Sequence, residues 1–277
     1  MRHGLSACIA SLLLSGVLTF AGSGARAAEI FYMDHDPSSN EFTGPVGPLV
    51  LSGEIEPGDY ARLLAKIAES EDRFLADHRI ILAVDGGEVS EIVNIANLVR
   101  ATFTEVVVGP LTGSCLGECF LIYAAAAERG TDRGHLLGLY RPQGAGDSSA
   151  ASVPDAPARV RAYLEENAVP GYLIEELFKH GPADAYWLSV RDEENLGAKS
   201  LSFKQLLSAK CGWSEELEHA VYRGEKPMAD LKAIWTCQER LTRPAARYVL
   251  DTALNEITRG AAPGNPKKAA AGAGIER

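Results

Sequence analysis

After residue 27 the chain lacks any apolar run long enough to cross a membrane, and it lacks an excess of basic residues. A transmembrane helix needs about 20 apolar residues in succession, so the sequence predicts no membrane insertion once residues 1–27 are removed. Lys and Arg number 27 against 37 Asp and Glu, which gives a formal net charge of −10. Because nucleic acids bind basic surfaces, this balance argues against a nucleic-acid partner.

The chain also lacks histidines that could complete a metal site with its cysteines. Structural zinc sites use four Cys, His or acidic ligands at short spacings. Cys115 and Cys119 have the spacing of one ligand pair, but no pair of histidines accompanies them. The sequence therefore predicts no metal and no cofactor.

The first 27 residues have the pattern of a secretory signal peptide. A short basic start precedes an apolar stretch from Leu5 to Ala21, and Ala25-Arg26-Ala27 has the form of a cleavage site. This pattern predicts an exported protein, periplasmic or secreted. Of the five cysteines, Cys8 lies in this predicted signal peptide and four follow it: Cys115, Cys119, Cys211 and Cys237. An even number of cysteines in such an oxidising compartment indicates disulfides, with three possible pairings.

Apolar strands alternate with helical patterns in the middle of the chain. Residues 80–84 form a continuous apolar run, typical of a strand that a parallel sheet buries on both faces. Apolar residues at helical spacing follow in 89–99, and a second strand pattern covers 105–108. The apolar stretch 119–128 predicts a buried helix. This alternation predicts an α/β fold around a mostly parallel sheet.

Composition divides the rest of the chain. Residues 28–46 are polar and rich in turn formers, which predicts a lead-in before an α/β domain at 47–192. Residues 193–259 predict a helical C-terminal extension. Residues 260–277 contain mainly Ala, Gly, Pro and Lys with little to bury, which predicts disorder.

Several short motifs follow one another in the order in which a known protein family has them. Together they resemble the exported Clp-like proteins, relatives of the proteolytic subunit of Clp protease within the Clp/crotonase fold. The resemblance covers about residues 47–192, and it implies a Clp/crotonase-like core and self-association into homo-oligomers. The motifs are Leu-Ser-Gly-Glu-Ile-Glu-Pro-Gly-Asp at 51–59, Asp-Gly-Gly-Glu-Val at 85–89, the run 115–122, Gly-Leu-Tyr-Arg-Pro at 138–142, and Tyr-Leu at 163–164 through Tyr-Trp-Leu-Ser at 186–189.

The same resemblance implies a catalytic triad whose two reactive members are replaced. The family's serine lies in a Cys-Ala-Ser-Ala-Cys run, and the matching run here has Gly117 at that position. The family's histidine precedes Arg-Pro or Gln-Pro, where this chain has Tyr140; the acid would be Asp184. Removing a serine or histidine from such a unit costs on the order of 10⁶ in turnover. Tyrosine, with a pKa of about 10, is a poor base near neutrality.

The resemblance further implies an oxyanion-binding turn at Gly86 and Gly87. Glycines let the backbone approach a substrate, and fixed N–H donors stabilise an oxyanion without reorganisation. A tight turn between strand and helix would require glycines equally. Glu118, at a predicted helix N-terminus, would either plug that oxyanion site or be an ordinary glutamate favoured by the helix dipole.

Ser114 and Cys115 are alternative nucleophiles close to the missing serine. A thiolate near a helix N-terminus has a lowered pKa, and His78, His135 and His180 are the possible bases. His135 begins the strand pattern that leads to residue 140, so it would lie about five residues, roughly 16 Å, from the matching histidine position. That distance is too long for a hydrogen bond to the same site.

The cysteine pairing stays open at this point. Cys115 and Cys119, at i and i+4 of a helix, would have Cα atoms about 6 Å apart, within disulfide range. Two free, buried cysteines are slightly favoured there because free cysteine packs well. Cys211 and Cys237 are the favoured structural disulfide, joining two C-terminal helices. The aromatic residues Tyr186, Trp187, Trp213 and Trp235 are predicted to be core rather than a ligand surface.

Three functions are consistent with these patterns. The first is a catalytically degenerate, pseudo-peptidase module that binds an extended peptide or protein segment as an added strand, or serves as a scaffold. The second is an active serine- or cysteine-dependent peptidase or hydrolase using Ser114 or Cys115. The third is a crotonase-like acyl transformer, against which export argues because CoA thioesters are cytoplasmic.

Overall fold

The computed structural model describes residues 28–33, 47–109, 113–131, 136–142 and 156–259. The predicted signal peptide at 1–27, His135, most of the lead-in and the predicted tail at 260–277 lie outside the described residues.

Strands and helices alternate through the first two thirds of the described chain, and helices alone follow. The strands are β1 (Glu29–Tyr32), β2 (Leu49–Ile55), β3 (Arg79–Gly87), β4 (Glu105–Val108), β5 (Cys115–Leu116), β6 (Glu128–Thr131), β7 (Leu137–Leu139) and β8 (Tyr186–Trp187). The helices are α1 (Asp59–Ala68), α2 (Glu71–Asp77), α3 (Val89–Ala101), α4 (Cys119–Ala125), α5 (Ala156–Glu166), α6 (Gly171–Lys179), α7 (Val190–Leu196), α8 (Leu201–Cys211), α9 (Glu215–Tyr222) and α10 (Met228–Thr258). A short 3₁₀ turn covers Pro182–Asp184.

The strands form two sheets. The larger has five strands in the order β1-β2-β3-β4-β6, and all neighbours are parallel except the antiparallel pair β1–β2. The smaller has the order β5-β7-β8, with β5 parallel and β8 antiparallel to β7. The predicted α/β fold with a mostly parallel sheet is therefore confirmed, as is the helical C-terminal part.

Burial on both faces explains the composition of the central strand β3. Its residues from Ile80 to Val84 are all buried, as expected for a parallel strand with helices on either side. Helix α3 packs Ile92, Ile95 and Val99 against the core, which gives its apolar residues their helical spacing. Helix α4 is wholly buried, so its sequence shows no polar face.

The predicted helix over 119–128 is wrong at its C-terminal end. Helix α4 ends at Ala125, because Ala126 leaves helical backbone with ψ of 144°. Glu128 then begins strand β6, which pairs with β4 in parallel. The buried Arg129 donates from Nη2 to Ala124 O at 2.6 Å and from Nη1 to Leu196 O at 3.0 Å, so carbonyl oxygens compensate its charge inside the fold.

Two other expectations from the sequence need correction. The lead-in at 28–46 contains strand β1, which adds to the large sheet beside β2. The tryptophans predicted as core divide: Trp213 is buried, whereas Trp187 is 43% exposed and Trp235 is 46% exposed.

Charged residues join the C-terminal helices to the sheet. Lys199 Nζ lies 3.1 Å from Glu218 Oε1 and 3.7 Å from Glu128 Oε2. Gln238 of α10 donates from Nε2 to Glu128 Oε1 at 2.8 Å. Because these side chains come from β6, α9 and α10, they fix the helical extension against one edge of the large sheet. Among the described helices, none combines the length and apolar character that a membrane span requires.

Candidate functional site

The ends of three elements meet where the sequence predicted a site. Gly86 lies at the end of β3, Gly117 lies between β5 and α4, and Tyr140 directly follows β7. The Gly117 N–H donates to the Gly138 carbonyl oxygen at 2.8 Å, which fixes the turn before α4 against β7. Gly86, Gly117 and Tyr140, which the resemblance assigned to one site, thus lie close together.

The ring of Tyr140 lies directly over Gly117. A Cβ atom built on Gly117 would lie 2.4 Å from Cε2, 2.5 Å from Cζ and 2.9 Å from Oη of Tyr140. These distances are shorter than van der Waals contact, so no larger side chain fits while the ring stays in place. Gly117 also has a φ of +54°, a left-handed backbone conformation that residues other than glycine adopt only at a cost in free energy. The contact with Tyr140 is thus sufficient to explain why residue 117 is a glycine.

The hydroxyl of Tyr140 reaches across the site to β3. It donates a hydrogen bond to the Asp85 carbonyl oxygen at 3.1 Å. The pKa of Tyr140 is raised to about 12, first because the phenol is buried and then because the carboxylates of Glu118, Asp85 and Glu54 disfavour a phenolate. Tyr140 therefore stays protonated near neutral pH and cannot accept a proton there.

The carboxylate of Glu118 lies beside Gly86. Glu118 is only 1% exposed although it carries a carboxylate. A Cβ atom built on Gly86 would lie 2.6 Å from Glu118 Oε2 and 3.2 Å from the Tyr140 hydroxyl. Glu118 precedes the first residue of α4, and its side chain makes no capping hydrogen bond to that helix. Its carboxylate thus lies inside the site, not on the solvent side of an ordinary helix start.

The two glycines of the predicted oxyanion turn have different surroundings. Gly87, with φ of +135°, faces the backbone of Ile55, where a Cβ atom would lie 2.2 Å from the carbonyl oxygen. The approach of two strands is sufficient to explain that glycine. Gly86, with φ of +105°, faces Glu118 and Tyr140. Of the two, only Gly86 faces the site.

Asp184 lies in an exposed turn, where its partners are Gly181 and His180. It accepts a hydrogen bond from the Gly181 N–H at 2.7 Å, and its Oδ2 lies 3.4 Å from His180 Nδ1. The Gly181 hydrogen bond, followed by the nearby His180, lowers the pKa of Asp184. On its other side, His180 Nε2 lies 2.8 Å from Glu176 Oε2. The structure thus joins Asp184 to a histidine flanked by two carboxylates, an arrangement that the sequence analysis missed.

The alternative nucleophiles Cys115 and Ser114 have different surroundings. Cys115 forms a disulfide with Cys119, with Cα atoms 5.3 Å apart, so the preference for two free cysteines there is wrong. Cys115 therefore offers no thiolate in this state. Ser114 is partly exposed before β5, and among the described residues no hydrogen bond joins it to a histidine. His78 lies at the end of α2, where burial, reinforced by Arg243, lowers its pKa to about 4.

The second cysteine pair follows the prediction. Cys211 and Cys237 form a disulfide with Cα atoms 5.7 Å apart, and it joins α8 to α10. Two disulfides are typical of an oxidising compartment. Among the described residues, no three His, Cys, Asp or Glu side chains are grouped as metal ligands.

Among known proteins, this chain is similar to solved structures but not to family models or curated sequences. No family model and no curated protein matches this chain. Among solved structures, it is similar to ClpP1 from Listeria monocytogenes at 19% identity and a TM-score of 0.40, over 54% of this chain and 86% of that one. It is also similar to the 1510-N membrane-bound stomatin-specific protease at 18% identity and a TM-score of 0.35, over 56% of this chain and 77% of that one.

A third match extends over more of the chain. An enoyl-CoA hydratase/isomerase family member is 14% identical with a TM-score of 0.32, over 86% of this chain and 96% of that one. Chains of both the Clp and the crotonase type are thus among the similar structures. Likeness of this size assigns neither activity nor substrate to this chain.

Proposed function

We propose that this chain is an exported, Clp-like protein that has lost peptidase chemistry and binds an extended peptide or protein segment. The observation that carries the proposal is the Tyr140 ring over Gly117, at the two positions where the resemblance requires a base and a nucleophile. A site of this kind needs a nucleophile within hydrogen-bond reach of a base. Here the two positions contact each other, but neither has a group for that chemistry at neutral pH.

The buried carboxylate of Glu118 supports the same proposal. Acyl transfer generates an oxyanion, which preorganised N–H donors stabilise. A carboxylate beside Gly86 would occupy that space and repel a developing negative charge. The carboxylate of Glu118 is therefore an electrostatic obstacle to hydrolysis, in addition to the lack of a nucleophile and a base.

Strand edges support a binding role. Strand β8 is at the edge of the small sheet, and Trp187 on it is 43% exposed. The Trp187 ring lies beside Gly138, where a Cβ atom would meet it at 3.4 Å. An extended segment added to a sheet edge gains backbone hydrogen bonds, and exposed aromatic residues pack against its side chains. The edge of β8 with its exposed Trp187 therefore supports binding of an extended segment there.

Covalent labelling tests the loss of chemistry. The folded protein would be treated with a fluorophosphonate and, separately, with an alkylating thiol probe without reductant, and its intact and peptide masses measured. We expect no adduct on any serine or cysteine. A stoichiometric adduct on Ser114 that forms in the folded protein, but not in protein denatured before labelling, would contradict the proposal and identify an active hydrolase.

Capture from a pool of randomised decapeptides tests the binding role. We expect the folded protein to retain a subset of the pool, and Trp187→Ala to retain less. Trp235→Ala is the matched control, since Trp235 is 46% exposed but lies on α10. Equal retention by both variants would argue against binding at β8, and no retention by the parent protein would contradict the binding role.

A further inference from the structure

Strand β1 forms one outer edge of the large sheet. Strand β1 ends the large sheet, and no further strand among the described residues pairs with it. The Met33 N–H donates to the Pro48 carbonyl oxygen at 2.9 Å, in the register of the β1–β2 pair. Hydrogen-bonded residues alternate with outward-facing ones in an antiparallel ladder. Ile30 and Tyr32 therefore direct their backbone N–H and C=O groups away from β2, and Phe31 directs its own toward β2.

The side chains on this edge divide in the same alternating way. Ile30 and Tyr32 pack against the core, while Phe31 is 43% exposed on the other face. At the N-terminal end the next outward carbonyl, that of Ala28, accepts a hydrogen bond from Arg62 Nη2 at 2.9 Å. That contact limits the open edge to a short segment centred on Phe31.

We propose that β1 pairs antiparallel with β1 of a second copy of this chain, around a two-fold axis at Phe31. This register places Ile30 of each copy opposite Tyr32 of the other. Each outward N–H of these two residues then meets an outward C=O of the second copy, so the edge is complementary to itself. A closed, isologous pair of this kind also removes the open edge that would otherwise invite aggregation.

The side chains fit the same register. Phe31 of the two copies would form a non-hydrogen-bonded pair, the position in which opposite side chains come closest. The exposed Glu29 would lie opposite Met33 of the second copy, whose carbonyl oxygen accepts a hydrogen bond from Arg73 Nη2. Glu29 of each copy would thus lie opposite an uncharged residue, so this register brings no like charges of the strand opposite each other.

This dimer is independent of the proposed function. It uses neither Gly117 nor Tyr140 nor the edge of β8, so its absence would leave the binding proposal unchanged, and the reverse also holds.

A charge exchange at the two-fold axis tests the proposal. Phe31→Lys and Phe31→Glu each place like charges opposite each other in the dimer, and each should weaken self-association by about tenfold or more. An equal mixture of the two variants should dimerise again, because opposite charges then meet. The measurement is analytical ultracentrifugation of the purified protein over a concentration series at low salt. Because Phe31 is exposed, the circular dichroism of both variants should match that of the parent.

A second pair of variants tests the backbone contacts. Ile30→Pro removes the outward N–H, whereas Ile30→Ala loses a similar packing contact but keeps that N–H. Only the proline variant should dissociate the dimer. A parent protein that is monomeric throughout the series, or one whose assembly is unchanged in both charged variants, would overturn the proposal. If both charged variants associate weakly and mixing them does not restore dimerisation, the contact lies elsewhere. That result would also overturn the proposal.

Discussion

Replacing Gly117 by alanine should destabilise the protein by about 2–5 kcal/mol of unfolding free energy. Two costs add at this position. A residue other than glycine in left-handed backbone costs about 1–2 kcal/mol, and the φ of Gly117 is +54°. Forcing an extra methyl group into a packed region costs about 1–3 kcal/mol, and the new Cβ would lie 2.4 Å from the Tyr140 ring.

Two matched variants separate the backbone cost from the crowding cost. Gly212 also has positive φ, +69°, but a Cβ there would meet no atom within 4 Å. Gly212→Ala should therefore cost only about 1–2 kcal/mol, the backbone part. In a Tyr140→Ala background the crowding disappears, so the two substitutions should couple favourably by about 1–3 kcal/mol in a double-mutant cycle.

The assay is equilibrium unfolding in urea followed by far-UV circular dichroism, with intact disulfides in every variant. The slope of free energy against denaturant should be similar for all variants, so that their midpoints can be compared. The reasoning is refuted if Gly117→Ala costs no more than Gly212→Ala. It is equally refuted if Gly117→Ala costs the same with and without the Tyr140 ring.

Three further variants test other parts of the structure. Tyr140→Phe keeps the ring but loses the 3.1 Å hydrogen bond to the Asp85 carbonyl, and it should cost about 1 kcal/mol in urea unfolding. Replacing both Cys211 and Cys237 by serine opens a loop with a sequence separation of 26, and it should cost about 3 kcal/mol in the same assay. Because burial lowers the pKa of His78 to about 4 from 6.5, the unfolded chain takes up that proton first as pH falls. Stability should then decline between about pH 6.5 and pH 4 by up to ~3 kcal/mol. His78→Asn, which tolerates the left-handed backbone there, should flatten that decline; an unchanged pH profile would count against this origin.

The sequence predicted those parts of the fold in which local pattern and burial agree. The apolar run of β3 and the spacing in α3 were read correctly, because a buried strand and an amphipathic helix each leave a periodic signal. The stretch 119–128 was misread beyond Ala125. Its small apolar residues suit a helix as well as a strand entry, and pairing with β4 decides between them.

Motifs indicated the candidate site, whereas the contacts within it depend on tertiary structure. Nothing local in the sequence shows that the Tyr140 ring covers Gly117, since the two residues are 23 positions apart and their contact requires the pairing of β5 with β7. The burial of Glu118 has the same origin. For the cysteines, the i to i+4 spacing made a disulfide possible, and packing geometry at the turn before α4 determined that it forms.

The contact between Tyr140 and Gly117 also sets the order in which this site could change. A serine introduced first at 117 would meet the ring and lose stability before it could contribute any chemistry. A histidine introduced first at 140 would remove most of the obstruction but would have no nucleophile to activate. Each single step is therefore either costly or without benefit, and the path that begins at 140 avoids the steric part of the cost. An attempt to build a hydrolase on this scaffold should begin there, and Glu118 should be replaced before any substrate is tried.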